Sequence, residues 1–423
     1  MSETLDQRSD DATRSVVAAD AADERLIRHQ GLQGYLHSTW ARLKGGELGM
    51  LPVVFGLIVI CLVFQLNEPT FLSSRNLVSI TQFAAPTGVI ALGIVLVLLL
   101  GEIDLSVGSV SGFAAATMAV LVVNEGLSLV VAMLAGVGVG LAIGCTYAFL
   151  YVKVGVPSFV FSLAGLLAFQ GALLYVLGDQ GTIVLPQDSG LREFARDRFL
   201  TDAQAYALVA LVVLVYVGSK LLDIRRRKAA GLTPGSPVGV AVKAALLGLG
   251  LGYLTYYLGI DRGWSYLPVL FAFLVVVMDF ALRRTRWGRH VFATGGNEEA
   301  ARRSGIKVTR VYVSVFALTS SFAALGGILL AGQLTSVSQS SGTTDTNLTA
   351  IAAAVIGGTS LFGGRGSAYS ALLGIIVLQS IQSGLNLMNV DSSVRFIVTG
   401  AVLLLAVAID SVSRRARSSS GRG

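Results

Sequence analysis

The sequence predicts an all-α polytopic membrane protein with about 12 transmembrane helices. Hydrophobic residues make up 53% of the chain and charged residues only 13%, whereas soluble domains carry roughly 25% charged residues. Apolar stretches recur at about the 20-residue length that a helix needs to cross a bilayer. The lysines and arginines behind the net charge of +7 lie in short segments between those stretches, as in cytoplasmic loops. Membrane lipid is therefore the expected environment, and nucleic acid is not an expected partner.

Twelve apolar stretches can be placed in order along the chain. They cover about 50–66, 77–100, 107–123, 128–152, 158–178, 203–222, 239–259, 264–282, 311–333, 347–362, 367–388 and 394–410. An even number of spans puts the N- and C-termini on the same side, which the positive-inside rule makes the cytoplasm. The basic segments 223–238 and 283–310 then lie inside as well, so the predicted topology is self-consistent.

The chain divides into three parts by composition. Residues 1–45 form a predicted cytoplasmic N-terminal tail, partly disordered, whose second half is either a surface-lying amphipathic helix or an irregular tether. Residues 46–412 form the transmembrane domain. Residues 413–423 are a basic tail that the topology places in the cytoplasm.

The tenth span is the least regular of the twelve. It contains Gly357 and Gly358 before two hydroxylated residues, which favours a broken or re-entrant helix. Such backbone occurs at membrane depth only where protein or a water-filled cavity covers it. Residues 349–367 also resemble 89–109, because both are apolar helices that end in a glycine-containing turn. This similarity suggests a two-fold internal repeat, a common plan in transporters.

Residues 283–310 are the longest strongly charged segment between apolar stretches. The sequence NEEAARR at 297–303 predicts a short helix, with acids in its first turn and bases in its last turn, where they suit the helix dipole. The predicted i,i+4 ion pairs are Glu298 with Arg302 and Glu299 with Arg303. Glycines flank the helix at Gly295, Gly296 and Gly305. We interpret the segment as a cytoplasmic helix held between two spans.

The sequence GEIDLSVGS at 101–109 places two carboxylates beside a membrane boundary. Charges at that depth are costly and are often functional. The alternative is structural, because Asp104 or Ser106 could cap the next helix. A hydrolase is not indicated, since no nucleophile or metal-ligand set accompanies the acids. The three histidines lie outside the spans without metal-site spacing, so no metal site is expected.

Two further patterns leave alternatives open. Asp279 and Arg283 are four residues apart and predict a helix-end ion pair. Neutral polar side chains in spans nine to eleven suit either a pathway for an uncharged, hydroxylated solute or hydrogen bonds between helices. They are Thr319, Ser320, Ser321, Gln333, Thr359, Ser360, Gln379, Gln382 and Asn386. No phosphate-binding loop is present, so a separate partner would have to bind ATP.

Four segments resemble a known family of transport proteins. They are GEIDLSVGSVSG (101–112), GVPSF with LAGLL (155–167), ATGGNEEAARRSGI (293–306) and AAAVIGGTSLFGGRGS (352–367). Over residues 50–412 the chain resembles the membrane permease of sugar ATP-binding-cassette (ABC) importers, in the ribose/xylose branch and most like the xylose-type permease. The long external loop and the hairpin of spans seven and eight extend the ten-helix core of that family.

The resemblance implies a division of labour. Two permeases, often identical, form the pathway; a separate ABC ATPase binds ATP and Mg, and an extracytoplasmic protein delivers the sugar. The permease binds no cofactor and is not an enzyme. The family's ATPase-coupling helix corresponds to Gly295, Gly296, Asn297, Glu298, Ala301, Arg302, Ser304 and Gly305. A helix break near the pathway or the dimer interface corresponds to Gly101, Asp104 and Gly108, and the predicted break in span ten adds Gly357 and Gly358.

Three other functions were weighed against a sugar ABC permease. A branched-chain amino acid ABC permease shares the span plan, but the two segments 101–112 and 293–306 favour sugar. An ion-coupled secondary carrier would need no partner, yet buried acid or histidine chains typical of proton coupling are absent from the sequence. An integral membrane enzyme would need a catalytic constellation that the sequence does not offer.

Overall fold

The structure is a computed structural model that describes residues 51–232, 237–402, 404 and 408. The predicted tails 1–45 and 413–423 lie outside the described residues. The helices are α1 (Leu51–Asn67), α2 (Ser74–Leu99), α3 (Val107–Val123), α4 (Leu129–Phe149), α5 (Ser158–Leu177), α6 (Asp202–Ala229), α7 (Pro237–Gly259), α8 (Tyr266–Arg284), α9 (Arg286–Gly296), α10 (Glu298–Arg303), α11 (Val308–Leu334), α12 (Thr344–Ile356) and α13 (Ala368–Leu387). A further apolar helix covers Ser392–Val402.

The described residues are mostly helical, as predicted. Eight helices are long and apolar enough to cross a membrane by length and composition. Four shorter apolar helices, α1, α3, most of α12 and Ser392–Val402, occupy the remaining predicted spans. As far as the described residues extend, each predicted span therefore coincides with a helix, although α12 is too short, at 13 residues, to cross about 30 Å of hydrocarbon. The helix ends at Gly357, inside the span that the sequence predicted to be broken.

The described chain divides into two compact units. The smaller unit, within 201–257, contains α6 and most of α7, where Gly248 faces Val213. The larger unit contains the other helices. The sequence predicted spans seven and eight as the additional hairpin, but α8 belongs to the larger unit, because an apolar stripe through Phe271 and Val275 is fully buried there. The pair that makes up the smaller unit is α6 with most of α7.

Helix α2 lies at the centre of the larger unit and contacts α8, α11, α12 and α13. Residues 89–99 are an uninterrupted apolar run, and all of them are buried. A helix that is apolar on every face has to be surrounded by others.

Helix α4 packs closely on α11 through glycines spaced four residues apart. A side chain at Gly140 or Gly144 would overlap the Ser320 or Phe316 carbonyl of α11. Small residues at this spacing let helix backbones approach each other. The glycines of this span therefore account for its close packing on α11.

A small sheet departs from the all-α prediction. Strand β1 (Thr182–Val184) pairs antiparallel with β2 (Ser336–Ser338), with Ile183 opposite Val337. Strand β1 lies between predicted spans five and six and β2 between spans nine and ten, and the predicted topology places both loops outside. Their pairing brings the two loops to the same end of the larger unit.

Candidate functional site

The charged segment 283–310 contains two helices. Helix α9 begins at the Thr285 cap, whose hydroxyl accepts a hydrogen bond from the Gly288 amide at 3.2 Å. The indole of Trp287 donates to Ser314 on α11 at 2.8 Å. Helix α9 was not predicted, although its apolar residues recur at helical spacing. Val291 is one of them and is buried.

Helix α10 follows as predicted. Asn297 caps it by accepting a hydrogen bond from the Ala300 amide at 2.9 Å. Ala301 is the residue of α10 that is buried. The predicted pairs form, Glu298 with Arg302 at 2.6 Å and Glu299 with Arg303 at 2.9 Å. Gly305 adopts a positive φ of 86° just after the helix, and the Ser304 hydroxyl donates to the Ala301 carbonyl at 2.8 Å. Because both ion pairs are exposed, their contribution to stability is small.

Three separate segments meet at the end of α9. A side chain at Gly295 would overlap the Leu99 carbonyl oxygen, and the same oxygen accepts a hydrogen bond from the Gly364 amide at 2.9 Å. Gly101, with φ of 81°, lies against Phe362 and Gly363. We call Gly101, Gly295, Gly363 and Gly364 the glycine junction. It joins the charged segment to the break after α2 and to the loop after α12.

Two tyrosines connect the same elements through side chains. Tyr151 donates to the Glu102 carboxylate at 2.6 Å, and Tyr312 lies 3.2 Å from the Glu298 carboxylate. The two phenol oxygens are 3.3 Å apart and the ring centroids 4.4 Å apart. Each phenol has one proton, so both carboxylates are satisfied when Tyr151 donates to Glu102 and Tyr312 to Glu298. We call these four residues the tyrosine bridge.

Sequence reasoning identified the two carboxylates of this bridge and missed both tyrosines. Tyr151 follows α4 in a wide helical turn that covers Leu150–Val154, and Tyr312 lies in the first turns of α11. The available signal was weak: each is a polar aromatic residue near the charged end of an apolar span.

Asp104 lies between α2 and α3 and is 1% exposed. Its Oδ1 accepts hydrogen bonds from the Ser106 amide and hydroxyl at 2.8 and 2.7 Å, and Tyr147 donates to the Ser106 hydroxyl at 2.8 Å. Ser106 occupies the N-cap position, which was one of the alternatives, but its side chain accepts no hydrogen bond from an amide of α3. Asp104 instead closes the turn before the helix. Burial raises the pKa of its carboxyl.

Gly108, in the first turn of α3, packs against α12. Its amide donates to the Asn347 side-chain oxygen, and a side chain at Gly108 would overlap this group and the Gly342 carbonyl. Asn347 is 2% exposed, and its Nδ2 has no partner among the described residues. The sequence analysis did not single out this asparagine.

The predicted break in span ten contains two different glycines. A side chain at Gly357 would overlap the Ser370 carbonyl of α13, whereas Gly358 has open space and a φ of 101°. Close packing explains the first glycine, and the left-handed backbone conformation explains the second. Of the predicted helix-break residues, Gly101 therefore joins the glycine junction, while Gly108 and Gly357 lie at other helix contacts.

The structure shows the contacts of the Asp279–Arg283 pair and of some neutral polar side chains in spans nine to eleven. Asp279 and Arg283 form the predicted ion pair at 2.7 Å, and Arg283 also donates to Ser367 at 3.0 Å. Thr319 donates to the Gly93 carbonyl of α2 at 3.0 Å, so it forms the interhelical hydrogen bond. Gln333 is buried, and its Oε1 has no partner in the described chain.

Within the described residues, no group of three His, Cys, Asp or Glu side chains could hold a metal ion.

Comparison with known proteins identifies the family. A family model described as the permease component of the branched-chain amino acid transport system matches residues 76–407. The chain belongs to this permease family. It is a multi-pass membrane protein and a transport-system permease, and no solved structure matches it.

Its curated relatives carry names of sugar transport systems. The chain is 35% identical over 374 residues to the xylose transport system permease protein XylH of Escherichia coli (strain K12), covering 88% of this chain and 94% of that protein. It is 31% identical over 365 residues to the ribose import permease protein RbsC of Bacillus subtilis (strain 168), covering 86% and 94%. The resemblance stated from the sequence motifs is thereby confirmed.

Proposed function

We propose that the chain is the membrane-spanning permease of an ABC importer for a monosaccharide, with xylose as the first candidate. The observation that carries the proposal is the 35% identity to the xylose permease over 88% of the chain. The family model bears a branched-chain amino acid description, but the xylose and ribose relatives match nearly the whole chain. An amino acid substrate is therefore the less favoured alternative.

The proposed topology has twelve crossings with both termini in the cytoplasm. The tenth is made by α12 together with the non-helical residues beside it, because α12 alone is too short. It consists of a ten-helix core and one added pair, which we assign to α6 and α7 because they form a separate unit. The pairing of β1 with β2 supports this topology, since two loops predicted to be external lie at the same end. The added pair keeps the crossing number even, so it leaves both termini on the basic, cytoplasmic side.

The proposed partners are an ABC ATPase, an extracytoplasmic sugar-binding protein and a second copy of the permease. ATP and Mg are bound by the ATPase. Helix α10 and its flanks form the proposed docking element for the ATPase: Gly295, Gly296, Asn297, Glu298, Ala301, Arg302, Ser304 and Gly305. Exposed charges on α10 and the open space beside Gly296 leave room for a partner groove.

The proposed mechanism is alternating access driven from that helix. Gly295 touches the Leu99 carbonyl, and Glu298 connects through the tyrosine bridge to Glu102. A displacement of α10 would therefore reach the break between α2 and α3 along backbone and side-chain contacts. Gly101 and Asp104 lie in that break, and Gly108 begins the helix after it. Their rearrangement would open the pathway, with the binding protein supplying the affinity for sugar.

Co-purification with the ATPase encoded beside it tests this proposal. The complex should hydrolyse ATP faster when sugar-loaded binding protein is added. Gly296→Trp should abolish that stimulation while the isolated permease keeps its melting temperature, because no atom lies within 4 Å of a carbon added there. Glu298→Arg should abolish it as well, with a small loss of stability, because the bond from Tyr312 and the exposed pair with Arg302 are both lost. Glu193→Arg, an exposed acid of the predicted external loop, is the control. Coupled transport by either docking variant would refute the docking assignment.

An experiment with an ion gradient distinguishes the ABC importer from an ion-coupled secondary carrier. Purified permease alone in vesicles should not accumulate sugar under an ion gradient, because the proposed energy source is the ATPase. Accumulation of sugar without ATP would refute the ABC importer and show that the protein is an ion-coupled carrier.

A further inference from the structure

The smaller unit carries a strong excess of positive charge. Between residues 201 and 257 the sequence has six basic residues and two acidic ones. The acids are Asp202, at the start of α6, and Asp223, and the next acid along the chain is Asp261. Lys220 lies in α6 and Lys243 in α7. The other four basic residues, which we call the basic cluster, follow one another at the end of α6: Arg225, Arg226, Arg227 and Lys228.

The length of α6 carries the basic cluster out of the hydrocarbon layer. The helix has 28 residues, which is about 42 Å at 1.5 Å per residue, against about 30 Å of hydrocarbon. Its apolar residues begin after the Thr201 capping box, at Ala205, and the stretch from there to Ile224 spans about 30 Å. The basic cluster therefore begins where the hydrocarbon ends, at the depth of the lipid headgroups.

The apolar faces of α6 and α7 are open along their length. Ala205 is the buried residue of α6, whereas Leu214 and Val215 are 68% and 63% exposed, as is Leu249 of α7 at 73%. In a multi-pass membrane protein, acyl chains or another protein cover such faces. A second copy of this chain is a poor neighbour at the basic end, because a symmetric contact there would bring two basic clusters together.

Backbone amides cap the end of α6, so its basic side chains are not needed for that purpose. The Ala230 amide donates to the Arg226 carbonyl at 3.0 Å and to the Arg227 carbonyl at 3.1 Å. The Gly231 amide donates to the Lys228 carbonyl at 3.2 Å, and Gly231 has a positive φ of 68°. A glycine in this conformation just after a helix commonly satisfies the last carbonyls.

Three side chains of the basic cluster are available to a ligand. Arg225, Arg226 and Lys228 are exposed, and neither an ion pair nor a side-chain hydrogen bond engages them among the described residues. On α10, by contrast, each arginine is held by a glutamate four residues before it. A guanidinium group binds phosphate oxygens through two parallel hydrogen bonds, and an ammonium group binds them as a point charge. The chemistry of the basic cluster therefore fits phosphate.

We propose that the basic cluster binds the phosphate headgroups of anionic phospholipids, while their acyl chains lie along the exposed faces of α6 and α7. Charge complementarity selects this occupant, since a zwitterionic lipid brings its own positive charge. Each basic side chain beside an anionic membrane surface is worth about a fivefold gain in affinity. In the proposed topology the lipid belongs to the cytoplasmic leaflet, and its binding does not depend on the solute that the permease carries.

Native mass spectrometry of the purified full-length chain tests the site, with phosphatidylglycerol and phosphatidylcholine of equal chain length added in detergent. We expect phosphatidylglycerol to be retained more tightly, and added salt to weaken that preference. The triple variant Arg225→Gln, Arg226→Gln and Lys228→Gln should lower the affinity for phosphatidylglycerol at least about tenfold. Its melting temperature should not change, because the three side chains are exposed.

A matched control removes the same charge from the larger unit. Arg289→Gln, Lys307→Gln and Arg310→Gln replace exposed basic residues of the predicted cytoplasmic segment, and this variant should retain phosphatidylglycerol as the wild type does. The positive-inside rule alone predicts equal effects of the two triple variants. A variant with Arg225→Lys and Arg226→Lys keeps the charge and should keep most of the binding.

Equal retention of the two lipids by the wild type would overturn the proposal. Equal losses in the two triple variants would do the same, because the attraction would then come from the summed cytoplasmic charge. Displacement of the lipid by inorganic phosphate at the same concentration would show a site for free phosphate, and a dimer that only the basic-cluster variant loses would show a second copy in place of lipid. The assay contains neither sugar nor ATPase, so its outcome is separate from the importer function.

Discussion

Helices α2 and α11 end in very different surroundings. At the end near α10, backbone meets backbone at the glycine junction, and a side chain at Gly295 has no space beside the Leu99 carbonyl. At the other end, side chains of the same two helices line an open cavity, and the Gln333 amide oxygen is buried beside it without a partner among the described residues. The closed end suits the transmission of movement, because packed backbone cannot deform gradually.

The largest contrast is expected between two adjacent glycines. Gly295→Ala should destabilise the permease by about 3 kcal/mol or more, since its new methyl group would overlap backbone. Gly296→Ala should stay within about 0.5 kcal/mol, because no atom lies within 4 Å of the added carbon. Thermal unfolding in detergent, followed by sugar uptake, measures both. Equal melting temperatures would contradict the closed junction.

The tyrosine bridge should come next in effect. Tyr312→Phe removes the hydrogen bond to Glu298 and the contact with Tyr151, and we expect about a five- to tenfold loss of sugar transported per ATP. Basal ATP hydrolysis should persist, since the docking surface is retained. Tyr175→Phe, at an 88% exposed tyrosine, is the matched control. A double variant with Tyr151→Phe that simply adds the two single effects would argue against a connected bridge.

Substitution of Gln333, at the other end of α11, should act in the opposite way on stability. Gln333→Leu replaces a buried, unpaired amide by an apolar group of similar size, so the free energy of unfolding should stay level or rise by about 1 kcal/mol. Chemical denaturation in detergent checks this, with Gln82→Leu as the comparison. Gln82 donates to the Arg196 carbonyl, so its loss should destabilise. If both variants lose stability equally, the Gln333 oxygen has a partner in the folded protein.

The smallest effect is expected on the surface of α10. Glu299→Gln breaks an ion pair in which both side chains are mostly exposed, so stability should change by less than about 0.5 kcal/mol. Glu298→Gln should cost more, because that carboxylate also accepts from Tyr312. Thermal unfolding at low and high salt compares them. A larger loss at Glu299 would remove the distinction between an exposed pair and the bridge.

Local features of this molecule could be predicted from the sequence. Helix α10 follows from its Asn297 cap, its i,i+4 charges and Gly305, all within nine residues. The apolar runs predict helices where the described residues have them, and the glycines of span ten predict the end of α12 at Gly357. Each of these depends on neighbours in the chain.

Features that depend on packing could not be predicted in this way. Tyr151 reaches Tyr312 only because glycines let α4 approach α11. Gly295 and Leu99 are far apart in sequence, and no local pattern predicts that they touch. The separation of α6 and α7 from α8 likewise depends on which apolar faces are covered.

Uptake of radiolabelled D-xylose into proteoliposomes tests the importer function most directly. The vesicles would contain the permease with its ATPase, with binding protein supplied on the predicted external side. We expect accumulation that requires ATP, binding protein and xylose together, and that is lost in Glu298→Arg. Accumulation by the permease alone under an ion gradient, or equal uptake without ATP, would contradict an ATP-driven importer.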